Sequence, residues 1–166
     1  MIDVTDRLPR IRGLDRAHAF AVIGEAVWWV TIVDGTLVRY HPDAYDLVLS
    51  ERPRDRGAIE ETLAGLRFVR NRMGHDADHV DFIHLGPGRA DRINRVTDWR
   101  WSSLPEQNFD WLSPRGQEWE SDRYQAYEHR LAGQTIGDTF TRAASFLKIA
   151  AAQAEAAVPV AGSAVR

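Results

Sequence analysis

The segment that most constrains the fold is a long apolar stretch near the beginning of the chain. Residues 19–33 carry Glu25 as their one charged side chain and include two adjacent tryptophans, Trp28 and Trp29. A helix through these residues is apolar on nearly all sides, whereas a surface helix has a single apolar face. The segment therefore predicts a helix that lies centrally in a bundle or is covered by a second subunit. It is too short to span a bilayer, so we expect no membrane contact.

Local signals set the predicted bounds of the helices. Asp15 is a good N-cap for the first helix, and Gly35 is a residue type that ends one. A short second helix begins at Pro42, which suits a first turn. A third helix follows Asp55 and carries one apolar stripe, formed by Ile59, Leu63, Leu66 and Met73. At 100° per residue, Arg70 falls within that stripe.

In residues 85–120 the apolar side chains no longer recur at helical spacing. Glycines and prolines interrupt this segment, and it carries four tryptophans, Trp99, Trp101, Trp111 and Trp119. We predict a long irregular insertion that its indoles anchor to the bundle, with room for short strands around residues 97–104. A last helix, or pair of helices, is predicted over residues 122–156, weakened in its middle by Gly133 and Gly137.

Together these segments predict an all-α fold, an up-and-down helical bundle of four to five helices with a long irregular, Trp-rich insertion. The predicted organisation is an N-terminal arm over residues 1–14, a single helical domain over 15–157 and a flexible tail over 158–166. The absence of cysteine excludes disulfides and thiolate metal sites. Because no signal-peptide pattern is present, we expect a cytoplasmic protein. A net charge of −3 argues against broad nucleic-acid binding but leaves room for a small cationic pocket.

The chemically suggestive residues lie at the end of the third helix, in the run Arg70-Asn71-Arg72-Met73-Gly74-His75. An arginine followed by a polar residue and, four to six residues on, by a histidine resembles the motif of the HEPN superfamily of helical proteins. The loose spacing also fits Arg12/His18, Arg72/His79 and Arg123/His129, but only Arg70 precedes an asparagine and lies in an apolar stripe. The resemblance covers this motif and the helical plan of residues 14–72 and 122–156.

The resemblance implies a metal-independent endoribonuclease that needs no cofactor. The RNA 2′-hydroxyl can attack the adjacent phosphate if a base, an acid and positive charge are at hand. His75 is the expected acid or base, Arg70 would stabilise charge on the phosphate, and Asn71 would orient the reacting groups. The expected further substrate contacts are Arg67, Arg72 and His79. The resemblance also implies a homodimer and an antitoxin or other regulatory partner, in a toxin–antitoxin pair or in phage defence.

One geometric condition follows from the spacing. On a regular helix, Arg70 and His75 point about 140° apart. They can address one phosphate if the helix ends between them, as Gly74 allows, or if two subunits cooperate. The sequence leaves both arrangements open.

Two other functions also remain open. The chain could be a non-catalytic, dimeric helical module that binds a partner through its apolar first helix, with Arg70 paired to Glu25 in the core. It could instead be a metal-dependent hydrolase built on a His/Asp cluster, namely His75, Asp76, Asp78, His79, Asp81 and His84. Because no second His/Asp motif supplies further ligands, we expect no metal site.

Overall fold

A computed structural model of the chain describes residues 11, 13–75, 81–87 and 97–157. These residues form five helices and one two-stranded antiparallel sheet, so the predicted, mostly helical fold is confirmed. In chain order the elements are α1 (Arg16–Tyr40), α2 (Pro42–Ser50), α3 (Arg56–His75), β1 (Ile83–Pro87), β2 (Thr97–Trp101), α4 (Pro114–Arg130) and α5 (Ile136–Ala157). The predicted tail lies outside the described residues.

Helix α1 begins as predicted and ends later than predicted. The Asp15 carboxylate accepts a hydrogen bond from the backbone N–H of His18 at 3.0 Å and caps the helix. The predicted stop at Gly35 is wrong, because the helix continues to Tyr40. An internal glycine costs a helix only about 1 kcal/mol, which burial of Leu37 in the next turn can offset. The helix ends at His41, where the following proline disfavours helical backbone.

One side of α1 is buried and the other is exposed. Ile23 and Val27 lie in the core, whereas Trp28 and Trp29 are 50% and 47% exposed. The prediction that α1 lies centrally in a bundle is therefore wrong for the described part of the chain. By length and composition α1 could also cross a membrane, so the expectation that it is too short fails for the full helix. Buried helices of soluble proteins can have the same length and hydropathy, so these two properties alone do not identify α1 as a membrane-spanning helix.

A buried carboxylate joins the first three helices. Asp34 on α1 is fully buried and accepts a hydrogen bond from the Tyr45 hydroxyl of α2 at 2.8 Å. It also accepts one from Nε of Arg67 on α3 at 2.7 Å. Burial, together with the Asp34 charge, raises the pKa of Tyr45 well above its usual range, which keeps the phenol protonated as a donor. The three side chains fix where α2 and α3 dock along α1.

Strands β1 and β2 pair over the bundle and carry two of the four predicted indole anchors. Ile83 pairs with Trp101 in the antiparallel register. The Trp101 indole is buried and donates to the Thr139 hydroxyl at 3.0 Å. Trp99 is also buried and donates at 2.9 Å to the carbonyl of Ile11, so this residue of the predicted N-terminal arm packs into the core. These two anchors and a strand within residues 97–104 are confirmed.

Two further predictions are wrong, one on the indoles of Trp111 and Trp119 and the other on the residue at which α4 begins. Trp111 and Trp119 are 63% and 50% exposed, so their predicted anchoring role is wrong. The helix predicted from residue 122 begins earlier, at Pro114, because Ser113 caps it by accepting from the N–H of Gly116. Proline suits this first turn, where its missing N–H has no helical partner.

The final helical segment divides into α4 and α5 at Gly133. This glycine has a φ of +74°, in the left-handed region that other residues rarely adopt. Gly133 is therefore the break that the sequence predicted, whereas Gly137 lies within the first turn of α5. The turn also contacts the sheet, because the N–H of Gly133 donates to the carbonyl of Trp101 at 2.9 Å.

We expect Gly133→Ala to lower the free energy of unfolding by about 1 kcal/mol, because alanine is strained at positive φ. Gly137→Ala is the matched control. A Cβ meets nothing within 4 Å at either position, so only the backbone conformation differs. Urea denaturation followed by tryptophan fluorescence measures both. Equal stabilities would contradict the prediction.

Asp34→Asn should lower the free energy of unfolding by about 2 to 3 kcal/mol, because it leaves the Arg67 charge without its carboxylate. The loss should fall short of that for a fully enclosed pair, since about a third of the Arg67 side chain is exposed to water. Asp46→Asn, at an exposed position of α2, is the control. The same denaturation experiment tests the difference, and a loss no larger than the control's would refute it.

Candidate functional site

Arg70 lies half-buried on α3, at the edge of the contact with α1. Its guanidinium carbon is 4.5 Å from the centroid of the Trp28 ring, a cation–π contact. Glu25, the carboxylate that the alternative interpretation paired with Arg70 in the core, is exposed, so the expectation that it is a core residue is wrong. The contact that the structure gives Arg70 is thus with an aromatic ring.

Asn71 faces a different helix. Its side-chain amide donates to Glu120 on α4 at 2.8 Å, and Glu120 is 9% exposed and also ion-paired with Arg123. Successive helical residues differ by 100°, so Arg70 points toward α1 while Asn71 points toward α4. The amide thus joins α3 to α4, away from the Arg70 guanidinium.

His75 is the last residue of α3, and the helix is unbroken from Arg70 to that point. The two backbone positions are therefore about 140° apart around the helix axis and about 7.5 Å apart along it. Gly74 does not end the helix, because α3 includes both Gly74 and His75. Of the two arrangements left open by the sequence, a helix end between Arg70 and His75 is excluded.

The predicted substrate-contacting residues occupy separate surroundings. Arg67 binds the buried Asp34, and a terminal nitrogen of Arg72 donates to the side-chain oxygen of Gln107 at 3.2 Å. His79 lies outside the described residues. Arg67 and Arg72 thus make contacts within the protein, and neither lies on the Trp28 ring as Arg70 does.

The described part of the predicted His/Asp cluster contains no group of three side chains that could hold a metal ion. Asp81 forms an ion pair with Arg16 of α1. His84 on β1 places Nδ1 3.1 Å from the Ser102 hydroxyl, across the sheet. Asp76, Asp78 and His79 are outside the described residues.

Sequence reasoning missed three residues that shape this site, namely Trp28, Asp34 and Glu120. A signal for Asp34 was present, because at 100° per residue it falls on the same side of α1 as Ile23, Val27 and Val30. The predicted stop at Gly35 instead places Asp34 at the end of the helix. Trp28 and Glu120 gave no comparable signal, since their partners on α3 are distant in sequence.

Comparison with protein-family models, with curated protein sequences and with solved structures finds no match to this chain. The function therefore has to be inferred from the side chains themselves.

Asn71→Ala should lower the free energy of unfolding by about 1 to 2 kcal/mol, because it removes a hydrogen bond to a mostly buried carboxylate. Gln125→Ala, at an exposed position of α4, is the control and should have little effect. Urea denaturation of both variants measures the difference. If Asn71→Ala were as stable as the control, the amide would be free for a role outside the helix contact.

Proposed function

We propose that this protein is a metal-independent endoribonuclease of HEPN type whose active site combines Arg70 of one protomer with His75 of another. The observation that carries the proposal is the position of half-buried Arg70, whose guanidinium lies over the Trp28 ring. A cation in this setting keeps hydrogen-bond donors for a phosphate, and the guanidinium fork matches phosphate geometry.

The proposed reaction is an attack of the RNA 2′-hydroxyl on the adjacent phosphate. His75 takes the hydroxyl proton or supplies one to the leaving 5′-oxygen, since imidazole titrates near neutral pH. Arg70 stabilises the negative charge that builds on the phosphate oxygens. Asn71 acts indirectly in this scheme, because its amide binds Glu120 and holds α3 against α4. It is a positioning residue.

Two protomers are needed because α3 continues unbroken through Gly74. A single copy holds the two positions on divergent sides of one helix, and a twofold axis can bring Arg70 of one copy toward the partner's His75. By resemblance to the HEPN superfamily, we extend the proposal to a role as a toxin or phage-defence effector, with an antitoxin as regulator.

The test unfolds two inactive variants, Arg70→Ala and His75→Ala, mixes them in equal amounts and refolds them together, so that mixed dimers form. Each should lose at least 100-fold in RNA cleavage, as expected on removal of a charge-stabilising group or an acid/base. In a mixed dimer, one composite site regains both wild-type residues, so activity should return to roughly a quarter of the wild-type value. Arg142→Ala and His129→Ala, at exposed positions on other helices, are the matched controls.

Several outcomes would contradict the proposal. Two inactive variants that do not complement each other would exclude a shared site. Cleavage abolished by chelator would favour the metal-dependent hydrolase. Full activity in either single variant would remove that residue from the mechanism.

A second candidate function is a non-catalytic, dimeric helical module. The contact between Asn71 and Glu120 favours it, because a structural role already explains part of the motif. Wild-type protein that forms dimers but cleaves no RNA, with or without added divalent cations, would support this candidate.

A further inference from the structure

Two tryptophans of the described chain make the same kind of contact in different surroundings. Trp28 of α1 and Trp119 of α4 are each 50% exposed. Each ring centroid lies 4.5 Å from the guanidinium carbon of an arginine, which is Arg70 for Trp28 and Arg115 for Trp119. Nucleic-acid-binding proteins use this combination, because an indole stacks on a base and a cation binds a phosphate. The charges around each ring decide which of the two suits a polyanion.

The surroundings of Trp119 are acidic. Glu118 and Asp122, both exposed, lie within three residues of it on α4. Glu118 also lines a cavity of about 670 Å³, together with Glu106 and Asp110, and none of the described residues that line this cavity is basic. Carboxylates in this number repel a phosphate chain, so Trp119 is poorly suited to RNA.

The surroundings of Trp28 carry fewer negative charges. Within three residues of Trp28 on α1, the one ionisable side chain is that of Glu25, a turn earlier. Arg70 adds a positive charge against the ring. Trp28 and Arg70 therefore place a ring and a cation side by side, without the excess of carboxylates found around Trp119.

We propose that Trp28 is a nucleobase-binding residue, on whose indole a base stacks while Arg70 holds the adjacent phosphate. The proposal rests on the proposed function for the identity of the ligand, which is RNA. It adds to that site a residue that recognises the base, whereas Arg70 and His75 act on the phosphate and the sugar hydroxyl.

The two contacts of Trp28 are compatible with each other. Trp28 stays 50% exposed although a guanidinium lies over its ring, which leaves room on the indole for a second planar group. The N–H groups of a guanidinium lie in its own plane, so its attraction to the face of a ring does not use the hydrogen bonds that a phosphate needs. A base on Trp28 and a phosphate on Arg70 can therefore belong to one strand.

Stacking also fits the charge of the whole chain. A net charge of −3 gives little general attraction for a polyanion, since such attraction comes from neutralising many phosphates. Stacking on an aromatic ring contributes to binding without any charge on the protein. A site with few phosphate contacts can thus bind RNA if an indole holds a base, and that base must be unpaired to reach the ring.

Binding of a short 2′-O-methyl oligoadenylate tests the proposal without cleavage, because its blocked 2′-hydroxyl cannot attack the phosphate. Trp28→Ala should weaken binding about 5- to 100-fold in fluorescence anisotropy, as expected for the loss of one stacked base. Trp119→Ala is the matched control, with the same exposure and the same cation contact, and should leave the affinity unchanged. Trp28→Phe should keep most of the affinity, whereas Trp28→Leu should lose as much as Trp28→Ala, because leucine has no ring.

A second ligand separates base stacking from the positioning of Arg70. The same sugar–phosphate chain without bases can contact Arg70 but cannot stack on an indole. Arg70→Ala should weaken the binding of both ligands, whereas Trp28→Ala should weaken only that of the ligand with bases. If Trp28 served only to hold Arg70, its removal would weaken both to the same extent.

Four results would overturn the proposal. Equal affinities of Trp28→Ala and Trp119→Ala would exclude stacking, and so would equal losses with and without bases. A wild-type protein that binds neither ligand would exclude a nucleobase site. A shift of Trp28→Ala from dimer to monomer in light scattering would instead place the indole in a contact between proteins.

These outcomes are distinguishable from those for catalysis, because the blocked ligand is never cleaved. Binding that depends on Trp28, together with no cleavage of unmodified RNA, would leave the base contact standing and refute the nuclease. Cleavage that needs Arg70 and His75 but is unchanged in Trp28→Ala would do the reverse.

Discussion

The rest of the structure depends on the Asp34 carboxylate, which is fully buried between Tyr45 and Arg67. A buried charge is tolerated only when its hydrogen-bonding groups are satisfied, so α2 and α3 must dock where their donors reach it. Because Arg67 is fixed in this way, the next turn of α3 carries Arg70 onto the Trp28 ring. A one-residue slip of α3 would rotate Arg70 by about 100° and remove that contact. The candidate site thus depends on an ion pair that takes no part in its chemistry.

The motif at the end of α3 combines packing and chemistry in neighbouring residues. Arg67 and Asn71 hold α3 to buried carboxylates on two different helices, Asp34 and Glu120. Arg70 lies between them in the sequence, is half-buried, and holds its guanidinium over the Trp28 ring. These two contacts fix the position of α3 against its neighbours, and a site built on a well-anchored helix is positioned more precisely than one on a loop. Because α3 is one helix from Arg70 to His75, these two backbone positions are about 140° apart around its axis, which is why the proposed chemistry requires a second protomer.

Part of the site could be derived from the sequence, and part could not. The apolar period of α3, its start after Asp55 and the position of Arg70 relative to the stripe are local properties, and the helix forms where they predict. The contacts of Asn71 and Arg72 join residues separated by 49 and 35 positions in the chain. No periodicity encodes such pairs, since they arise only when helices dock. For the same reason, the sequence could not separate the buried indoles of Trp99 and Trp101 from the exposed Trp111 and Trp119.

By itself, the sequence determined the helical class, the cap at Asp15, the start of α2 at Pro42 and the break at Gly133, because backbone preferences act over a few residues. Tertiary structure decided how far α1 extends, which side of it is buried and which carboxylate each arginine meets. Gly35 illustrates the difference. Its intrinsic cost to a helix is about 1 kcal/mol, and packing of Asp34 and Leu37 on either side exceeds that cost. A local preference this small yields to burial, and burial depends on residues that are distant in the chain.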